Sequence, residues 1–162
     1  KTMANFDEGK ALRKLLMGIK VERAAQAIAI TATPGLPMFT IAGGLVLVTG
    51  LLGVCTTTHG GVANTMSFEL NPTAATGANS AITATTDLGT ASVVGDVAVV
   101  VGAPATGPLG GHVEVNVLGS TSGKGIVMNN GVIGLVATAA NGAWRWILFY
   151  VPIDDGAFIV TA

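Results

Sequence analysis

The chain has 162 residues, enough for one domain with a sizeable core. Charged residues make up 10% of it, against roughly 25% in an ordinary soluble domain, and half of the residues are apolar although only 5% are aromatic. Cys55 is the only cysteine, which excludes an intrachain disulfide and a cysteine-based metal cluster and suits a small buried apolar residue.

The near-zero net charge hides an asymmetry. Residues 1–23 carry Lys1, Lys10, Arg13, Lys14, Lys20 and Arg23 against Asp7, Glu8 and Glu22, a balance of +3. The remainder holds only Lys124 and Arg145 against six acids, a balance of −4. The sequence therefore divides into a basic N-terminal arm (1–23) and a weakly acidic body (24–162). The arm mixes both signs, unlike the dense basic stripe that grips phosphates, so nucleic acid is not an expected partner. Within it, residues 8–23 (EGKALRKLLMGIKVER) set Leu12, Leu15, Leu16 and Ile19 at helical spacings of three and four, with Gly18 weakening the helix. An apolar face of this kind needs a cover. Lys10, Leu12, Arg13, Lys14, Leu15, Leu16, Ile19, Lys20 and Arg23 are the expected contacts to a neighbouring subunit.

From residue 24 on the pattern is β. Between Arg23 and Glu69 no Asp, Glu, Lys or Arg occurs, and residues 36–55 are long enough to span a bilayer. Pro34, Pro37, Gly43, Gly44, Gly50 and Gly53 suit turns and bends instead, so no membrane span is expected; the charges among the first apolar residues likewise do not fit a cleaved signal peptide. A loosely alternating strand over 25–33 leads to a turn at Pro34-Gly35, an extended run over 36–42, a break at Gly43-Gly44 and a long strand over 45–58 bent at Gly50 and Gly53. In the strand over 63–70, Met66, Phe68 and Leu70 share one face and Thr65, Ser67 and Glu69 the other.

Residues 71–92 read as a surface excursion with one short strand, followed by strands over 93–101, 112–118 and 126–129. Asn130-Gly131 and Asn141-Gly142 are strong two-residue hairpin signals around a strand over 132–138. The next strand, 143–151 (AWRWILFYV), is apolar on both faces, which predicts cover on both sides. Trp144, Trp146, Leu148 and Tyr150 share one face and are the expected core. Pro152 and the Asp154-Asp155-Gly156 turn precede a closing strand over 157–160. Some nine short strands without β-α-β alternation predict an all-β fold, an antiparallel β-sandwich or jelly-roll-like barrel with an N-terminal arm.

Chemistry-bearing constellations are sparse. His112 and Glu114, two apart, would share a strand face, yet a closed zinc site needs four ligands and the pair reads as solvated or interfacial. His59 beside Gly60-Gly61 reads as a turn residue. Asp154-Asp155-Gly156 lacks the further acids of a calcium loop, and residues 119–125 (GSTSGKG) lack the spacing and the Ser or Thr after Lys124 of a phosphate loop. Asn71 is followed by Pro72, which rules out glycosylation there. No enzymatic activity and no cofactor or metal are expected.

Two segments carry a resemblance. Residues 37–58 (PMFTIAGGLVLVTGLLGVCTTT) and 131–156 (GVIGLVATAANGAWRWILFYVPIDDG), with Asn71-Pro72-Thr73, resemble a family of small virion proteins of tailed bacteriophages. That family shows a P-x-F-T strand pair with a Gly-Gly break, and a Trp-rich strand ending in Tyr-x-Pro-hydrophobic-Asp-Asp-Gly. The segments cover about a third of the chain; residues 85–125 and the basic arm depart from the pattern. The resemblance implies a β-sandwich virion protein without catalytic residues, a capsid decoration (cement) subunit at the capsid surface that binds the major capsid protein and self-associates, with a trimer favoured. A tail or head–tail connector component is the alternative within that class, and a receptor- or carbohydrate-binding module the alternative outside it.

Overall fold

The computed structural model describes residues 11–12, 14–74, 77–87, 92–99, 114–116 and 125–162. A short helix at residues 11–12 and 14–17 precedes twelve strands: β1 (Ile19–Ala27), β2 (Thr31–Ala42), β3 (Val46–Thr57), β4 (Thr65–Pro72), β5 (Ser80–Ala81), β6 (Thr86–Asp87), β7 (Val97–Val99), β8 (Glu114–Asn116), β9 (Ile126–Met128), β10 (Gly131–Ala137), β11 (Ala143–Pro152) and β12 (Phe158–Thr161). Two antiparallel sheets pack face to face as an all-β sandwich. One runs β1-β11-β3-β9-β8, with β7 on β3 beyond β9; the other runs β12-β2-β10-β4-β5, with β6 on β4.

The core lies between the sheets. Trp144, Trp146, Leu148 and Tyr150 of β11 are 0–4% exposed, opposite Phe39, Ile41, Met66, Phe68, Leu70, Ile133 and Leu135 of the other sheet. The two indoles stack with centroids 5.6 Å apart, and Phe68 meets Trp146 edge-on at 4.9 Å. Trp146 lies over Gly53 of the paired strand, where an added Cβ would stand 2.4 Å from the ring. The glycine expected as a bend is thus the slot for a tryptophan. Near the other bend, Thr49 is an extra residue between the Gly50–Phe149 and Val48–Tyr150 pairs, a bulge that turns its hydroxyl toward the carbonyl of Met17.

Successive long strands do not pair with each other. The connections at residues 28–30, 43–45, 58–64, 129–130, 138–142 and 153–157 all cross from one sheet to the other. The two Asn-Gly hairpins of the sequence reading are therefore corrected: they are arches. Gly131 does not take the positive φ that a type I′ turn needs, and the Asn130 carboxamide oxygen accepts the Gly44 N–H of a different arch at 2.8 Å.

Three further readings change. The run over 25–33 breaks at residues 28–30, where Ile28 is buried and its N–H bonds the Gly142 carbonyl at 3.1 Å. Pro34-Gly35 is not a turn but lies inside β2, on a stretch that β12, paired only with Phe39 to Ala42, leaves uncovered on one edge. Glu69 faces away from the core as expected, yet is only 8% exposed. Gly134 stands between Glu69 and Pro37 in the register without a side chain, and the carboxylate reaches the Gly35 N–H at 2.7 Å. The excursion over 71–92 holds two short strands, β5 and β6. Among the described residues no helix is long and apolar enough to cross a membrane, and residues 36–55 form the end of β2, an arch and most of β3.

Candidate partner interface

The helical spacing over 8–23 does not continue through Gly18. The Gly18 N–H bonds the Lys14 carbonyl at 3.0 Å, closing the helix, and its φ of 90° lies in the region that glycine alone enters freely. A Cβ there would stand 2.2 Å from the Tyr150 carbonyl oxygen. Beyond it the sequence Ile19-Lys20-Val21-Glu22-Arg23 alternates, and β11 supplies the pairing from Ile19–Tyr150 to Arg23–Trp146. The strand thus begins five residues before the expected body boundary at residue 24.

This divides the expected contact residues. Ile19 packs partly buried against the core. Lys20 bonds Glu22, which also receives Arg145 at 3.0 Å. The Lys20 hydrogen bond, with Arg145 adding to it, holds the Glu22 carboxyl below its ordinary range. Arg23 closes the seam between the sheet edges, donating from Nη1 to the carbonyls of Met38 at 3.1 Å and Ala162 at 2.7 Å and from Nε to Gln26 at 3.1 Å. Burial there pulls its pKa down. These three side chains serve their own chain. Leu12, Lys14, Leu15 and Leu16 remain on the helix, with the leucines 56%, 82% and 73% exposed. Lys10 and Arg13 lie outside the described residues, as does His112, and the side chain of its expected neighbour Glu114 on β8 is not described. A second exposed apolar group comprises Val93, Val94, Val97 and Val99 around β7.

The helix projects from the end of the sandwich where the arches at 43–45, 129–130 and 153–157 meet. There Asp154 accepts the Leu45 N–H at 2.8 Å, Asn130 accepts that of Gly44, and the Ile153 N–H bonds the Leu45 carbonyl at 2.9 Å.

The opposite end holds what the sequence did not signal. His59 is no exposed turn residue: it is 5% exposed, and its Nε2 accepts the Trp144 indole N–H at 2.7 Å. Its backbone N–H bonds the Ser92 carbonyl at 3.0 Å. Asn141 accepts the Gly60 N–H at 2.9 Å, and Asn64, fully buried, accepts the Ala139 N–H at 3.0 Å. Three buried side-chain nitrogens in this cluster have no partner: Nδ1 of His59 and Nδ2 of Asn64 and of Asn141. Burial pushes the His59 pKa down, with the Asp87 carboxylate opposing. Nearby, Cys55 is buried and donates to the Thr57 carbonyl at 3.3 Å, and burial raises its thiol pKa. A histidine followed by two glycines carries no period that would reveal its burial; only the tertiary placement of Trp144 does.

Among the described residues no group of three or more His, Cys, Asp or Glu is arranged to hold a metal ion. No family model, curated protein or solved structure matches this chain.

Proposed function

We propose that this chain is a structural virion subunit, a capsid decoration or cement protein that stabilises a head lattice by binding it. The observation that carries the reading is the N-terminal helix, which ends at Gly18 and presents Leu12, Leu15 and Leu16 away from its own sandwich. A contiguous apolar face exposed to this degree marks a contact surface. The small fraction of charge and the phage-like segments at 37–58 and 131–156 support the same class. The mechanism is mass action: a subunit that binds the assembled shell better than its free components shifts the equilibrium toward the shell. Major capsid protein and further copies of this chain are the partners in this reading, and contact replaces catalysis as its role.

The test is immunogold labelling of particles from a producing culture with an antibody raised against the full chain. Label over the heads is the expected result. Label confined to tails or the neck would move the chain to the tail or connector class, and particles without label would overturn a virion role.

A further inference from the structure

The end of the sandwich away from the helix has more buried donors than acceptors. Because the His59 Nε2 accepts from Trp144, the ring proton sits on Nδ1, and that N–H has no partner. The neighbouring carboxamides of Asn64 and Asn141 use their oxygens on backbone N–H groups and leave their own NH2 groups unpaired. His59 also joins two arches. It lies on the 58–64 arch and bonds Trp144 at the start of β11, and its ring fills the space beside Gly142, where a Cβ would stand 2.2 Å away. The Ile28 N–H on the 28–30 arch bonds the carbonyl of that same Gly142.

We propose that His59 is an acid-sensitive latch: as a neutral ring it clasps the 58–64 arch to the start of β11, next to the 138–142 arch, by accepting from Trp144, and a proton on Nε2 opens this end of the sandwich. The proton would set two N–H groups against each other across 2.7 Å and place a buried imidazolium among orphaned donors. Among the described residues the charged group felt at the ring is Asp87 of β6. It already accepts the Asn64 N–H at 3.1 Å, and it tempers the penalty rather than removing it.

The pH window follows from the sign of the shift. His59 titrates below its ordinary 6.5 in the fold, so below that pH the unfolded chain takes up a proton that the folded chain refuses. The contribution is complete above pH 6.5 and is lost as the pH falls from there to the folded value, where the loss levels off.

The experiment is denaturant unfolding of the full chain followed by tryptophan emission, from about pH 8 to about pH 5, beside His59→Gln, whose amide oxygen still accepts from Trp144 but does not titrate. In the unaltered chain the folding constant should fall by up to about tenfold per pH unit below 6.5, and in His59→Gln it should stay level until carboxylates protonate. Parallel profiles in the two proteins would overturn the latch. Proton NMR of the unaltered chain gives a second reading that does not depend on the variant folding. One of the two histidines should titrate below 6.5 together with loss of the Trp144 indole N–H resonance. Titration of both histidines at or above 6.5, or an indole resonance indifferent to that step, would overturn it.

Discussion

Where the arches at 43–45, 129–130 and 153–157 meet, a carboxylate and a carboxamide each take a backbone N–H, and no buried side-chain nitrogen among the described residues is left over. At the opposite end two carboxamides and the Asp87 carboxylate do the same work, yet a buried histidine joins them and three buried N–H-bearing atoms go without partners. The architecture is shared, because both ends are arches crossing between the same two sheets. What differs is the ratio of acceptors to donors. A surplus of buried donors makes one end sensitive to a proton and dependent on exact packing, while the end that bears the helix tolerates more change.

Four substitutions sharpen or break this contrast. The largest effect is expected from Trp144→Ala, which removes a ring 1% exposed and leaves the His59 Nε2 without its donor. A loss of about 3–5 kcal/mol is expected by chemical denaturation, and one below about 1 kcal/mol would mean that the clasp does not hold this end together. Next comes a matched pair of glycines, Gly142 (φ 70°) and Gly156 (φ 86°), one at each end. Gly156→Ala meets nothing within 4 Å and should cost only the backbone strain of about 1–2 kcal/mol. Gly142→Ala adds a Cβ 2.2 Å from the His59 ring and should lose about 1–3 kcal/mol more. Equal losses would show that the His59 end can yield as easily as the other. The smallest effect on folding is expected at the helix, where Leu15→Lys alters a side chain 82% exposed and should stay within about 0.5 kcal/mol of the unaltered chain. The same change should abolish co-sedimentation with particles if the helix is the contact surface, and retained co-sedimentation would place the contact elsewhere.

Much of the architecture was legible because burial imposes a period. The alternation of Trp144, Trp146, Leu148 and Tyr150 and of Met66, Phe68 and Leu70 marks inward faces whatever the partner strand, and all seven are buried. Turn residues located the reversals at Gly43-Gly44, Asn130-Gly131, Asn141-Gly142 and Asp154-Asp155-Gly156. Local turn chemistry does not say whether the flanking strands will pair or face each other, so both Asn-Gly sites carry the hairpin signal in the sequence and form arches in the fold. The arm shows the same limit in reverse. Two periods overlap at Gly18, helical through Leu16 and alternating from Ile19, and the helical one carried across the glycine because Ile19 fits both. Of the nine arm residues, the sequence could not separate the leucines that face outward from Arg23, whose acceptors lie on β2 and at Ala162, far along the chain. His59, Asn64 and Asn141 are hidden for the same reason: each is polar, each sits on an arch, and only the meeting of distant arches buries their side-chain nitrogens.

The crossing connections also set the order in which the molecule can assemble. Among the described strands β1 pairs only with β11, matching Ile19 with Tyr150, and β11 lies between β1 and β3. A ribosome therefore releases β1, β2 and β3 long before the strand that joins the first to the third exists. Among the described strands no two successive long ones form a hairpin to serve as a local nucleus, and contacts so distant in sequence make folding slow. β2 and β4 wait for β10, and β1 waits for β11, so the nascent chain holds long apolar strands without these partners until the two emerge, a state open to aggregation.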